Sequence, residues 1–363
     1  MKRKAEVLAP TDLGAASTKV IDIDIKSQIS RLTIWFTVDN VTVSVMLAEL
    51  RKVISKIELI DGGRVLASVP ATVLAGINFY SEGVMPYTTV GLTVGNTATA
   101  VVHLDFGRFL WDAEYAFRPE MFSNPQLRIT HNEAAWNTNA VVNSFAVHAH
   151  VDDSPPQGGA GGMLVTKEVQ NYGFTASATE VIRIPTDQTI RGIFVVSEST
   201  DHDLLAGLDT IKLDVNSGQF VFFNEKVESL FQELVRLGPV TIPVTLDSAV
   251  SAMTLYLPTT QGNQLAIAYD AVDFVTAQSH FSVVTATGPK LAITASVDIQ
   301  AETAVATGYA PGGVIPFWQG NPHDPETWYT PNASDQLRAS ILASAVSDSS
   351  DTGRVIVQQA IRY

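Results

Sequence analysis

The chain contains no cysteine in 363 residues. That excludes a disulfide framework, a thiolate metal site and a cysteine nucleophile, and it leaves the redox compartment open. Charge is sparse. Asp, Glu, Lys and Arg make up 17% of the chain, against about 25% in an ordinary globular protein. Basic residues are the scarcer sign, 23 Lys and Arg against 37 Asp and Glu, for a net charge of −14. Sequence-independent binding of nucleic acid needs clustered cations that displace counterions, so this composition argues against it. Long apolar runs are missing too. The longest are strand-sized, well short of the ~20 residues of a membrane-spanning helix. Met1-Lys2-Arg3-Lys4 has no apolar segment behind it, so a signal peptide is not expected. No Gly-X-Ser-X-Gly elbow, His-Glu-X-X-His helix or Gly-X-X-X-X-Gly-Lys phosphate loop occurs. A chain poor in charge and rich in Val, Thr, Ala and Ile fits a protein that hides much surface in an assembly. Its net charge keeps unassembled subunits soluble and apart.

What is present is one message written twice. Thr18-Lys19-Val20-Ile21-Asp22-Ile23 returns as Thr179-Glu180-Val181-Ile182-Arg183-Ile184, an offset of 161 (179 − 18). Asn124-Pro125-Gln126-Leu127-Arg128-Ile129-Thr130 returns as Gly288-Pro289-Lys290-Leu291-Ala292-Ile293-Thr294, an offset of 164 (288 − 124). Solenoid units run to roughly 20–50 residues, so this spacing means two copies of a domain.

Period-two alternation dominates each copy: Val20, Ile21, Ile23 and Ile25, then Leu32, Ile34, Phe36 and Val38, then Val101, Leu104 and Phe106, then Phe145, Val147 and Val151. These are half-buried antiparallel strands. Residues 29–38 match 189–197. Residues 57–63 match 211–218, each an alternating strand ending in an Asp/Asn-Gly-type hairpin turn. A helix follows in each: Pro70 opens one that carries Val73, Ile77 and Tyr80 and stops at Gly83. Val227, Leu230, Phe231 and Leu234 form the other, which Gly238-Pro239 stops. Strands at 99–106 and 249–257 come next. The first copy closes with 140–151; the second closes with either 302–307 or 354–357. The Pro-Pro and glycine run at 152–163 reads as a flexible linker. The expected division is an N-terminal arm at 1–17, a first domain at 18–152, a linker at 153–163 and a second domain at 164–363. That second domain carries an unmatched insert near 308–351, and a polar loop is expected at 344–353. The fold class is all-β, and about eight strands and one helix in each ~150-residue copy fits a jelly roll better than an immunoglobulin-like sandwich, which needs only about 100 residues.

Two tandem jelly rolls, each with a helix after the fourth or fifth strand, resemble the double jelly-roll major capsid proteins of tailless icosahedral, membrane-containing bacteriophages. The likeness covers residues 18–299 and rests on the paired Thr-X-Val-Ile-X-Ile starts, the hairpins, the helices near 70–82 and 225–237, and the Pro-X-Leu-X-Ile-Thr runs. The 308–351 segment departs from it. The resemblance implies a non-enzymatic structural subunit. It implies a homotrimer of pseudo-hexagonal outline that tiles a shell over an internal membrane, with strands standing across the shell. Its implied partners are further copies of itself, penton or minor capsid proteins and the membrane. Its implied place is the virion, after synthesis in the host cytoplasm.

Individual residues admit two readings each. Lys2, Arg3 and Lys4 form the one dense basic run, suited to anionic lipid head groups at about 1 kcal/mol each or to a solubilising tail. Trp318, Trp328 and Tyr329, with Tyr309, Asn321, His323, Asp324 and Glu326, suit a subunit interface more than a sugar-binding surface. Trp111, Tyr115 and Phe117 share that ambiguity. His148 and His150 share a strand face that His103 and His131 could join, as metal ligands or as plain polar strand residues. Asp201-His202-Asp203 with Asp152-Asp153 offers oxygen ligands for a cation such as calcium, or merely solvated loops. No cofactor is expected. The competing function is a tandem jelly-roll glycan-binding protein, or a glycosidase or amidase. That reading needs carboxylates facing each other across a groove, with Asp105, Asp112, Glu114, Asp270 and Asp273 as candidates.

Overall fold

The computed structural model describes residues 1–40, 49–91, 95, 97–136, 140–155, 158–199, 202–248, 252–267, 281–287, 290–295, 299–347 and 351–363. The first half contains β1 (Lys2–Thr11), β2 (Ser17–Asp22), β3 (Gln28–Asn40), β4 (Ile54–Asp61), β5 (Arg64–Val69), α1 (Ala71–Glu82), β6 (Thr88–Gly91), β7 (Thr97–Asp105), β8 (Pro125–His131) and β9 (Ala140–Asp152). They pair in the orders β1-β9-β3-β7 and β2-β8-β4-β5. The chain therefore crosses between two facing sheets with nearly every connection, which is the jelly-roll winding. The alternation read from the sequence has this cause: Leu32, Ile34, Phe36 and Val38 on β3 are fully buried between the sheets. Pro70 precedes the first turn of α1, and Gly83 closes it at φ 75°, a left-handed cap that glycine adopts at least cost. The expected arm at 1–17 is corrected here. Lys2–Thr11 is the first strand of the roll, paired antiparallel along β9 from Lys2–Asp152 to Thr11–Phe145.

The second half repeats the plan with β10 (Gly162–Gly173), β11 (Thr179–Ile184), β12 (Thr189–Glu198), the single turn α2 (Leu204–Gly207), β13 (Leu208–Val215), β14 (Phe220–Lys226) and α3 (Val227–Leu234). Then come β15 (Val240–Ser248), β16 (Ala252–Tyr256), β17 (Thr259–Ile267), β18 (Phe281–Thr287), β19 (Lys290–Ala295) and β20 (Ile299–Pro311), before β21 (Val314–Trp318), β22 (Leu337–Ala343) and β23 (Thr352–Arg362). The orders β10-β23-β12-β21 and β11-β22-β13-β14 reproduce those of the first half strand for strand.

The β-bulges make the correspondence residue-exact. Each bulge puts one extra residue into a strand, so its position is a register mark. Val7 is skipped between β1 and β9, and Val169 between β10 and β23. Ser30 is skipped on β3, and Arg191 on β12. Ser55 on β4 matches Asp209 on β13, and Leu66 on β5 matches Phe222 on β14. Ser30 and Arg191 are 161 apart (191 − 30), the offset of the Thr-X-Val-Ile-X-Ile repeat.

These registers overturn part of the sequence reading. The counterpart of β8 is β22, since both pair with the second and fourth strands of their roll. The lookalike run ending in Lys290-Leu291-Ala292-Ile293-Thr294 is β19, which among the described residues pairs with β16 and β18; its Gly288 and Pro289 lie outside the described residues. Strand β16, matched beforehand to 99–106, is likewise displaced by β21. The closing strand is β23, and residues 302–307 belong to β20. The unmatched insert is thus the span that holds β15 to β20, between α3 and β21. The 308–351 segment instead supplies the end of β20 and the roll's own β21 and β22. The linker is also less free than its glycines suggest. Ala160 is fully buried, its N–H donates to Gln28 Oε1 at 2.9 Å, and Gly161 N–H donates to the Glu114 carbonyl at 3.1 Å.

The two rolls are joined through shared sheets. β5 pairs in parallel with β10 at Ser68–Lys167, and β6 with β15 at Val90–Val244 and Gly91–Thr245. The β10-β23-β12-β21 sheet is apolar on both faces. Ile193, Val195, Phe317 and Val357 fill the second core, while Met163, Val165, Phe194, Val196, Val314 and Ile356 belong to the first. This is why residues 190–197 read as an unbroken buried run. Both chain termini and the β7–β8 and β21–β22 connections lie at one end of the strands. The insert leaves from the other.

Candidate functional site

Polar groups of both rolls meet at the joint. Arg31 on β3 is ion-paired with Asp105 and Glu82, and Asn78 Nδ2 donates to Asp105 Oδ2 at 2.8 Å. From the other roll, Arg191 Nε donates to the Pro322 carbonyl at 2.8 Å and Nη1 to Gln358 Oε1 at 2.5 Å. Its guanidinium lies 4.8 Å over the Trp318 ring, and burial pulls its pKa down to about 10. Burial holds the Asp105 carboxyl above the ordinary carboxylate range, although Arg31 draws it down. Asp112 is clasped by Arg108 through bonds of 2.7 and 2.8 Å, and Arg108 also reaches Glu114 at 2.9 Å. Each of the three described carboxylates proposed for hydrolysis is therefore engaged by an arginine rather than facing another acid across a groove. Asp270 and Asp273 lie outside the described residues.

The outer face of β1, β9, β3 and β7 carries the histidines. Thr33 Oγ1 sits 3.2 Å from both His103 Nδ1 and His150 Nε2, and Trp111 packs edge-on to His150 at 5.7 Å. His131 is elsewhere, buried against Glu133 at 2.6 Å. Among the described residues no group of three or more His, Asp or Glu is placed to hold a metal ion. The proposed oxygen ligands are likewise apart. Asp152 and Asp153 lie at the terminal end beside Met1 and Arg3. His202 pairs with Asp351 at 2.9 Å, and Asp203 caps α2, both at the opposite end. Asp201 lies outside the described residues.

Burial first, then Arg31, His150, Arg51 and Lys4, lower the His103 pKa from the ordinary 6.5 to about 3. An unfolded histidine binds a proton near 6.5, so this contribution is fully present above that pH and is lost as pH falls from there toward about 3. His103→Gln is expected to remove ~2–3 kcal/mol of the stability difference between pH 7 and pH 4, read by urea unfolding at both values. Parallel pH profiles for parent and variant would refute the assignment.

Lys2, Arg3 and Lys4 are strand residues at the terminal end. Arg3 Nε meets Asp153 Oδ2 at 2.5 Å, Lys2 Nζ lies 5.4 Å over Trp111, and Lys4 pairs with His150 in the ladder. The aromatic residues divide. Trp328, expected at a subunit interface, is 5% exposed and packs on Tyr115 at 5.5 Å, joining the two rolls of one chain. Phe117 is core, packed on Phe106 and Phe122. Tyr309 packs on Phe231. Trp318 and Tyr329 are half-buried and, with Phe222, Phe223 and Phe317, line an open groove of ≈620 Å³ beside β14. The sequence reading took 219–223 as the return strand of a hairpin and gave Phe220-Val221-Phe222-Phe223, where alternation lapses, no contact role. Phe220 and Val221 are 59% and 41% exposed, and an apolar run in an edge strand is a signal of contact.

No family model and no curated protein sequence matches the chain. Solved structures do match along its whole length. The major capsid protein of the Sulfolobus turreted icosahedral virus is 11% identical, covering 100% of this chain and 97% of that one, with a TM-score of 0.61. The chain has the double jelly-roll fold. The PBCV-1 protein VP54 matches at TM-score 0.57 and 10% identity over 99% of this chain and 93% of that one. The major capsid protein P2 of bacteriophage PM2 matches at 0.53 and 12% over 100% and 98%. The strand pairing described above accounts for that likeness: in this double jelly roll the order of both sheets is repeated in each half, whereas sequence identity has fallen to the level of chance.

Proposed function

We propose that the chain is the major structural subunit of an icosahedral viral capsid and works without catalysis. Its two units are residues 1–152 and 162–363, and it assembles as a homotrimer. The observation that carries this is the side-by-side joining of two rolls whose strand orders repeat and in which four bulges recur at matched positions. Three copies supply six nearly equivalent barrels, so a three-fold object fills a six-neighbour site. The proteins of like fold are major capsid proteins by name, and the low charge content fits a surface consumed by assembly. Light scattering on the chromatographed protein is expected to give three times the 39.0 kDa chain mass, with hexagonal particles in negative stain. A monomer would overturn the reading.

The terminal end, with Lys2 and Lys4, is the end we assign to an internal membrane. Arg3 already has its counter-ion in Asp153, which leaves these two lysines for anionic head groups. Lys2→Gln/Lys4→Gln is expected to weaken binding of the trimer to vesicles containing phosphatidylserine by about 2 kcal/mol. Unchanged vesicle binding would remove the membrane role and leave the shell role intact. Penton or minor capsid proteins are the further partners of such a shell.

A further inference from the structure

The bulge-anchored correspondence identifies one groove that exists twice, filled once and open once. In the first roll the opening between β5 and β7, under α1, involves Leu74, Ile77, Asn78, Asp105 and Gly107. It is closed by Thr166, Arg191 and Gln358 of the second roll, which leaves ≈10 Å³. The second roll has the same opening between β14 and β21, under α3. Trp318 stands there where Asp105 stands in the first, because the residues they pair with, Gly192 and Arg31, correspond. Gly320 likewise stands for Gly107, two residues further on. That opening is the ≈620 Å³ groove. The element that fills the first groove is the β10-β23-β12-β21 sheet. Its counterpart is the β1-β9-β3-β7 sheet of the first roll, whose outer face keeps Trp35, His148 and His150 partly exposed in the single chain, with Thr33 between them buried. On it Thr33, Trp35 and His148 take the places of Phe194, Val196 and Ile356.

We propose that this face of one copy docks into the β14–β21 groove of a second copy, repeating between chains the joint already made within each chain. This rests on the shell reading and names its contact. The strand edges agree with it. Within the chain β5 and β10 meet in parallel at Ser68–Lys167. Their counterparts, placed by the bulges at Leu66/Phe222 and Val7/Val169, are Asn224 on β14 and Ala5 on β1. Both strands are terminal in their sheets, so each has a row of unpaired backbone groups along one edge. The interface is head-to-tail, so it closes only as a ring.

A cysteine-free chain makes the test direct. Ala5→Cys/Asn224→Cys is expected to oxidise into a closed three-chain species on non-reducing gels, and either single variant is expected to form none. Ser68→Cys/Lys167→Cys, the intrachain counterpart, serves as the geometric control. A trimer by light scattering in which the control pair closes and the Ala5/Asn224 pair does not would overturn this contact while sparing the shell reading. A monomer would overturn both. Val221→Asp, at an exposed edge position, is expected to reduce the trimer fraction about tenfold or more with unchanged thermal unfolding of the chain. A persistent trimer in that variant would also overturn the proposal.

Discussion

Replacing Arg31 with alanine is expected to cost about 3–5 kcal/mol of folding stability. The reason lies in what stays behind. Arg31 neutralises Asp105 and Glu82 at once, and Asp105 is already held above its ordinary pKa by burial. Without the guanidinium, Asp105 keeps one neutral donor, Asn78 at 2.8 Å. The carboxyl then takes up a proton to escape an unpaired charge. A carboxyl whose folded pKa is raised contributes stability that is present below its unfolded pKa and lost as pH rises through the folded one. The variant should therefore recover stability on acidification more than the parent does. Urea unfolding at pH 7 and pH 5 reads this, and Arg31→Ala/Asp105→Asn should restore part of the loss, since the two sites couple. A loss below about 1 kcal/mol would show that the pair is only a surface-grade contact.

Gly313→Ala is expected to be comparably severe for a different reason. Gly312 and Gly313 have φ of +63° and +68°, and a Cβ on Gly313 would lie 1.9 Å from the Ser197 carbonyl oxygen. The left-handed conformation alone costs an alanine about 1 kcal/mol. The overlap forces either β12 or the turn between β20 and β21 to move. The amide of Ser197 donates to the Gly313 carbonyl at 3.0 Å, so a shift also breaks that bond. A total of about 3–4 kcal/mol follows, with a thermal midpoint roughly 5–10 °C lower. Gly63→Ala, where nothing lies within 4 Å of the added methyl, is the matched control and should stay within about 0.5 kcal/mol of the parent. Equal behaviour of the two variants would refute the steric account.

Strand identity was legible in the sequence and strand partnership was not. Alternation at Leu32, Ile34, Phe36 and Val38 reports burial on one side of a sheet, and it does so correctly. The two helices announce themselves through Pro70, Gly83 and the Leu230–Leu234 spacing, and the 161-residue repeat names two strands that do take equivalent places. Leu127-Arg128-Ile129-Thr130 and Leu291-Ala292-Ile293-Thr294 have the same local chemistry, yet one is the eighth strand of a roll and the other lies in the insert. What separates them is the pair of strands on either side, which no window of a few residues contains. The surface residues fared similarly. Trp328 looked like an interface aromatic because Trp is enriched there. Its partner, Tyr115 in the other roll, is invisible until the fold brings them together. Arg31 and Asp105, which pair beside the joint, are 74 residues apart, and nothing local in the sequence couples them.

The first core is finished only by Met163, Val165, Phe194, Val196, Val314 and Ile356. The last of these lies 204 residues beyond the end of β9 at Asp152 (356 − 152). During synthesis, then, the amino-terminal roll leaves the ribosome with one wall absent until residue 356 has followed. The two rolls are duplicates in plan but not independent in birth: the first is completed by side chains of the second, and a chain cut short before them presents an unclosed apolar interior.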